Sequence, residues 1–203
     1  GKADFISMGR ALIADPDLPN KLVKGNLESI RPCLACNYCT DLRTPEEGMH
    51  CQVNAAVGKE KKYILTPATN CRKVLVIGGG PAGMEAARVA RLRGHQVTLC
   101  DEQSQLGGQL NLASIPPHKS TIESFNNYFA NQIKKLGVEV QQKKKADLAL
   151  VKQLQPDVVI LATGSVPFIP PIPGIDTAET VMAGEVLQGK KVGQRVVIIG
   201  GEV

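Results

Sequence analysis

From Lys73 onward the chain alternates short apolar runs with amphipathic stretches. Lys73–Ile77 is apolar and β-branched and predicts a strand. Glycines follow, and then Met84–Arg93 has the make-up of a helix. Gly94 interrupts it, and Gln96–Cys100 is the next apolar strand. Ile122–Leu136 is amphipathic and ends at Gly137, which suits the left-handed residue that closes many helices. Val138–Gln142 predicts a third strand. Val158–Ala162 is apolar throughout and is expected as a fourth, central one, because strands covered on both faces lose their alternation. Alternation of strand and helix predicts an α/β fold with a doubly wound, parallel, Rossmann-like sheet. Beyond it, Val166–Gly174 holds Pro167, Pro170, Pro171 and Pro173 and predicts an extended connector. Arg195–Ile199 then predicts a further strand running into Gly200-Gly201.

Ahead of Lys73 the pattern is less regular. Asp4–Met8 is strand-like, and Asp15-Pro16-Asp17 is a helix-start signal after a short turn. Residues 31–72 are rich in loop formers, with Val53–Lys59 alone helix-like. The chain thus divides at 1–30, 31–72, 73–194 and 195–203. It opens inside one strand-like stretch and stops just after another, so a piece of a longer polypeptide is expected.

Composition narrows the chemistry. Six cysteines are present, four of them within 19 residues, with no secretion signal ahead of them. Clustered cysteines in that context read as metal ligands rather than disulfides, and the reducing cytoplasm is the expected compartment. No apolar run is long enough to span a bilayer. The net charge is +5, but Lys143-Lys144-Lys145 is the single basic run, which suits a solvated strand end. With 3% aromatic residues and no Trp there is little for bases to stack on, so neither nucleic acid nor membrane is an expected partner.

Cys33, Cys36, Cys39 and Cys51 form a C-x2-C-x2-C-x11-C set. Three thiols three residues apart can wrap three corners of a cubane while the fourth returns from a turn, as a [4Fe–4S] cluster requires. Zinc is the alternative, although it more often takes two separated Cys-x2-Cys knuckles. Cys100 ends an apolar strand and is expected in the core; Cys71 carries no chemical signal.

Gly78-Gly79-Gly80-Pro81-Ala82-Gly83 follows a strand and opens a helix. In such a turn Gly78 permits the tight bend, Gly80 admits a pyrophosphate, and Gly83 lets helix pack on strand. Helix-end amides then meet the phosphates. Asp101 stands 18 residues after Gly83, at the end of the second strand, where an acid binds ribose hydroxyls; Glu102 is the adjacent alternative. Gly107-Gly108-Gln109 offers a small loop over a dinucleotide, and Ala162-Thr163-Gly164 closes the fourth strand where backbone nears one.

In that order, with Ser7-Met8-Gly9-Arg10 in front, these motifs resemble the 2,4-dienoyl-CoA reductase and enoate reductase family, related to trimethylamine and histamine dehydrogenases. The likeness runs the whole length of the chain. It implies that Asp4–Met8 is the last strand of an FMN-binding (β/α)8 barrel, with Gly9 and Arg10 on the FMN phosphate. A [4Fe–4S] loop on the four cysteines follows, and then an FAD domain. Ala82, Asp101, Gln109, Lys119 and Ala146 match family FAD contacts, and an NAD(P)H domain would begin near Arg195. The activity implied is an oxidoreductase passing electrons from NADH or NADPH through FAD and the cluster to FMN. Its substrate would be a small molecule with an activated C=C bond, an unsaturated thioester or enoate. The x2–x2 cysteine spacing is nearer the amine dehydrogenases, whose second dinucleotide site holds ADP, and that is the alternative activity. From another class, a zinc-stabilised nucleotide-binding module with no redox role is the third.

Overall fold

The computed structural model describes residues 2–41, 48–177 and 180–201; residues 42–47 of the cysteine segment and 202–203 of the last segment lie outside the described residues. Four parallel strands form one sheet: β1 (Lys73–Ile77), β2 (Gln96–Cys100), β3 (Glu139–Gln141) and β4 (Val158–Leu161), in the order β3-β2-β1-β4. Parallel neighbours need a crossover, and α3 (Pro81–Leu92) supplies it between β1 and β2. The long α5 (Ser120–Lys135) lies between β2 and β3 in the chain and closes at Gly137, whose φ is +65°.

The pleat sorts the strand residues onto two faces. Val74, Val76, Val97 and Leu99 face α3 and α5, where Met84, Ala87, Phe125, Phe129 and Ile133 complete the main core. Leu75 and Cys100 face the other way, onto Leu150 of the short α6 (Leu148–Leu154). Asp147 caps α6, its carboxylate accepting from the Leu150 amide at 2.8 Å. Burying Leu75, Met84 and Leu99 almost completely contributes about 2 kcal/mol for each side chain.

The segment before the sheet packs onto the same core. It begins with two short helices, α1 (Arg10–Ala14) and α2 (Leu18–Val23). Ala14 and Val53 are buried in the main cluster, and Cys33, Leu34 and Cys51 pack against it. Residues 1–164 form one compact unit. Residues 165–203 form a second, in which α7 (Ala183–Leu187) is the one helix among the described residues. Between the sheet and α7, Val166–Ile172 runs without helix or strand, as its prolines require.

Four expectations need correction. Among the described residues Val158–Leu161 is not central: it pairs with β1 alone, and Val159 and Leu161 are 40% and 75% exposed. Only Val158 and Ile160 pack on the main core, so the all-apolar run did not mark burial on both faces, and edge or centre is set by pairing. Asp4–Met8 and Arg195–Ile199 form no strands among the described residues, because a strand exists only through a hydrogen-bonded neighbour and neither segment has one. Val53–Lys59 folds as successive turns rather than a helix, with Gly58 at φ +72°.

Candidate functional site

The glycine-rich turn joins the end of β1 to α3 at the carboxyl edge of the sheet. Gly78 has φ +111° and its amide donates to the Cys100 carbonyl at 2.8 Å. A Cβ there would overlap the carbonyl of Ala162, and one on Gly83 would overlap the carbonyl of Gly78. At Gly80, in contrast, a Cβ would meet nothing within 4 Å. Two glycines are therefore required by the protein's own backbone, while Gly80 opens onto free space before the α3 N-terminus. Pro81 takes the first helical position, where no amide partner is needed, and Ala82 beside it is exposed.

Other motifs converge on that turn. The Ala162 amide donates to Ile77 at 2.8 Å, placing Ala162-Thr163-Gly164 beside Gly78. The Gly107 amide donates to the Gly79 carbonyl at 2.8 Å, and a Cβ on Gly108 would come within 3.0 Å of Gly80 Cα. Gln109 begins α4 (Gln109–Ala113) and is exposed. Asp101, only 8% exposed, accepts from the Gly79 amide and, at 2.6 Å, from the Gln103 amide. A carboxylate has about four acceptor sites, so two amides leave room for ribose hydroxyls. Glu102 is exposed. The order β3-β2-β1-β4 reverses direction between β1 and β4, and ligands of such sheets bind at the carboxyl ends of the strands at that switch. The turn thus offers a dinucleotide open space at Gly80 and the amides at the start of α3.

Lys119 and Ala146 stand apart from this convergence. Lys119 is the exposed residue preceding α5, and Ala146 packs with Leu75, Cys100 and Leu150 on the second face. A broad trough at the opposite, amino-terminal end of the strands is lined by Lys73, Gln96 and Glu139, where α/β sheets do not bind nucleotides.

The four cysteines line a single cavity, together with Arg10 and Asn37. Cys39 is buried, Cys33 and Cys51 are half-buried, and Cys36 is exposed. Ala35 and Asn37 are both left-handed, at φ 54° and 59°, which curls the loop between Cys33 and Cys39. Left-handed non-glycine residues are strained and concentrate at functional sites. The Ala35 amide donates to Cys33 Sγ at 3.4 Å, a bond of the kind that tunes cluster potentials. Among the described residues, no three His, Cys, Asp or Glu side chains gather as ligands of one ion. Gly9 precedes α1 and, with Arg10, is exposed.

Sequence patterns did not point to the residues that hold these loops. Asp15 is 4% exposed; it ion-pairs with Lys21 at 2.7 Å and accepts from the Arg31 amide at 2.7 Å. Asn54 donates to the Ile13 carbonyl at 2.9 Å. Asn126 donates to Asn111 at 2.7 Å beneath Gly107. Their partners lie far off in sequence, so only a buried Asp or Asn itself could have hinted at them.

The pyridine nucleotide-disulphide oxidoreductase family matches residues 72–203. The chain belongs to this family. A metal reductase of Desulforamulus reducens is 45% identical across 99% of the chain, which covers 31% of that protein. A structure of 2-naphthoyl-CoA reductase with 2-naphthoyl-CoA superposes with a TM-score of 0.90 at 38% identity, over 95% of this chain and 30% of that one. Histamine dehydrogenase from Rhizobium sp. 4-9 follows with a TM-score of 0.76 at 31% identity, over 83% and 27%. The resemblance to the 2,4-dienoyl-CoA reductase family holds, and the chain spans about a third of the length of the relatives it matches. This family of flavin oxidoreductases uses FAD and NAD(P), and the parallel sheet is its Rossmann-like FAD-binding part. No helix among the described residues is long and apolar enough to cross a membrane.

Proposed function

We propose that the full-length protein is a reductase in which electrons from NAD(P)H travel by FAD and a [4Fe–4S] cluster to FMN and on to an activated C=C bond. The observation that carries this reading is the cavity shared by all four cysteines, packed on the same core as the dinucleotide crevice. Within it, Cys33, Cys36, Cys39 and Cys51 hold the cluster, one thiolate to each iron. Gly78, Gly80 and Gly83, with Pro81 and Ala82, present the α3 amides to the FAD pyrophosphate. Asp101 takes the ribose, while Gly108, Gln109 and the Ala162–Gly164 backbone border the cofactor. Gly9 and Arg10 take the FMN phosphate, Arg10 through its planar fork of donors. Lys119 and Ala146 are assigned to FAD by family resemblance alone. The domain limits 1–30, 31–72, 73–194 and 195–203 follow from the same assignment.

The relatives favour a thioester or enoate as the unsaturated substrate, since one of them is a reductase bound to an aryl-CoA. Because a metal reductase is comparably similar, this stretch of chain is suited to electron transfer and cofactor placement rather than substrate choice. Anaerobic full-length protein should contain iron, FMN and FAD, and NADH or NADPH should reduce flavin and cluster before an enoyl thioester reoxidises them. Flavin bleaching with no cluster reduction would defeat the relay. Release of FMN with ADP would favour an amine dehydrogenase, as the histamine dehydrogenase likeness allows. Zinc without flavin would leave only a nucleotide-binding module.

A further inference from the structure

We infer that Arg10 serves two sites: the guanidinium placed on the FMN phosphate also raises the reduction potential of the cluster. The inference rests on the cluster reading above and extends it to a residue outside the cysteine set.

Arg10 belongs to α1, yet its side chain reaches the cysteine loop, where Nη1 donates to Asn37 Oδ1. Asn37 stands between Cys36 and Cys39 and is held by its main chain as well. Its carbonyl accepts from the Thr40 amide at 2.9 Å and from the Thr40 hydroxyl at 2.8 Å. The contact therefore joins α1 to a fixed point of the loop, 27 residues away in sequence. Arg10 lines the cavity with all four cysteines, and among the described residues there it is the one carrying positive charge. No Asp or Glu among those residues offsets it.

Reduction adds an electron, hence one negative charge, to a cluster already surrounded by four thiolates. A guanidinium at the cavity wall stabilises that added charge more than it stabilises the oxidised state, so the potential rises. Arginine suits both duties because it stays protonated and carries five N–H donors in a fixed fork. One is committed to Asn37, leaving the others for a phosphate. Lysine would keep the charge but lose the fork.

The test is an EPR-monitored redox titration of the cluster in anaerobic full-length protein. In R10Q the cluster's reduction equilibrium should fall about tenfold, or about 59 mV for a one-electron couple. R10K should recover most of that shift. N37A, with iron and FMN contents unchanged, should move the potential the same way by less. Because R10Q is expected to lose FMN, its potential is compared with wild type stripped of FMN, against which the shift should persist. Equal potentials in that comparison overturn the inference. If R10Q loses its iron, N37A decides, and an unaltered potential there overturns it. Wild type without iron would defeat the cluster reading itself, whereas iron with a flat mutant series defeats this inference alone.

Discussion

Side chains added at Gly83 and at Gly80 would meet opposite surroundings, although both positions belong to one turn. At Gly83 a Cβ collides with the Gly78 carbonyl, so G83A should cost about 3 kcal/mol of folding stability. Urea unfolding of the FAD-stripped protein would show it. At Gly80 a Cβ touches no protein atom and would project into the space assigned to pyrophosphate. G80A should therefore unfold normally without nucleotide yet bind FAD at least about tenfold more weakly, roughly 1.4 kcal/mol. Fluorescence titration with FAD reads that loss, and an unaltered affinity would place the pyrophosphate elsewhere. Cys100 makes a separate case at this scale. It is fully buried, and burial, the largest influence, pushes its thiol above the ordinary value. A raised folded-state value means that its share of stability is intact below the free thiol's pKa and declines as pH rises through the folded one. Stability should therefore bend downward in alkali, and C100A should remove that bend in denaturation curves measured above about pH 8.5.

Among the elements, α1 and the cysteine loop are joined by two buried polar residues. Asp15, just after α1, binds the Arg31 amide immediately ahead of Pro32 and Cys33. Asn54, just after Cys51, binds the last turn of α1 through the Ile13 carbonyl. The loop is thus held at both ends to the helix that carries Arg10. Removing Asp15 leaves the half-buried Arg31 amide and Lys21 without their acceptor, which costs about 1 kcal/mol. D15A should speed hydrogen exchange at the Arg31 amide and at Cys33 in the full-length protein while leaving the β1 and β2 amides protected. Equal exchange in D15A and wild type would mean that the loop is held by its apolar contacts alone. None of this was legible beforehand. The residues 11–17 read as a turn and helix start, and a hydrogen bond across 16 or 41 positions leaves no periodic trace.

At the scale of the molecule, the cysteine loop and the sheet domain share one core. Arg31 lies over the Tyr128 ring at 5.6 Å, and Lys135 bonds Ser29 at 2.9 Å, so α5 holds the loop from the far side. Ile133 of that helix is 1% exposed within the same cluster of residues that receives Cys33 and Cys51. I133A should cost about 2–5 kcal/mol, and in full-length protein the cluster's visible absorbance and the helical circular dichroism should disappear in one shifted transition. Two separate transitions would show that the loop and the domain fold independently. Phe5, Leu161, Val197 and Ile198 are each 75% exposed or more. Apolar surface of that kind associates, so the 203-residue chain on its own should sediment in a concentration-dependent way.

The amino-acid sequence by itself determined the strands Lys73–Ile77 and Gln96–Cys100, the helix read over Ile122–Leu136 and ended by Gly137, the glycine turn followed by Asp101, and the four-cysteine spacing. These are local: hydrophobic period, helix-ending glycines and cysteine spacing act over a few residues and leave a pattern that can be read directly. Only the tertiary structure decided that Val158–Leu161 lies at the sheet edge, that Asp101 also holds the Gly79 amide, and that Arg10 reaches Asn37. Each of those outcomes depends on a partner that close packing brings up from elsewhere in the chain, and no residue records in its own neighbourhood which partner that will be.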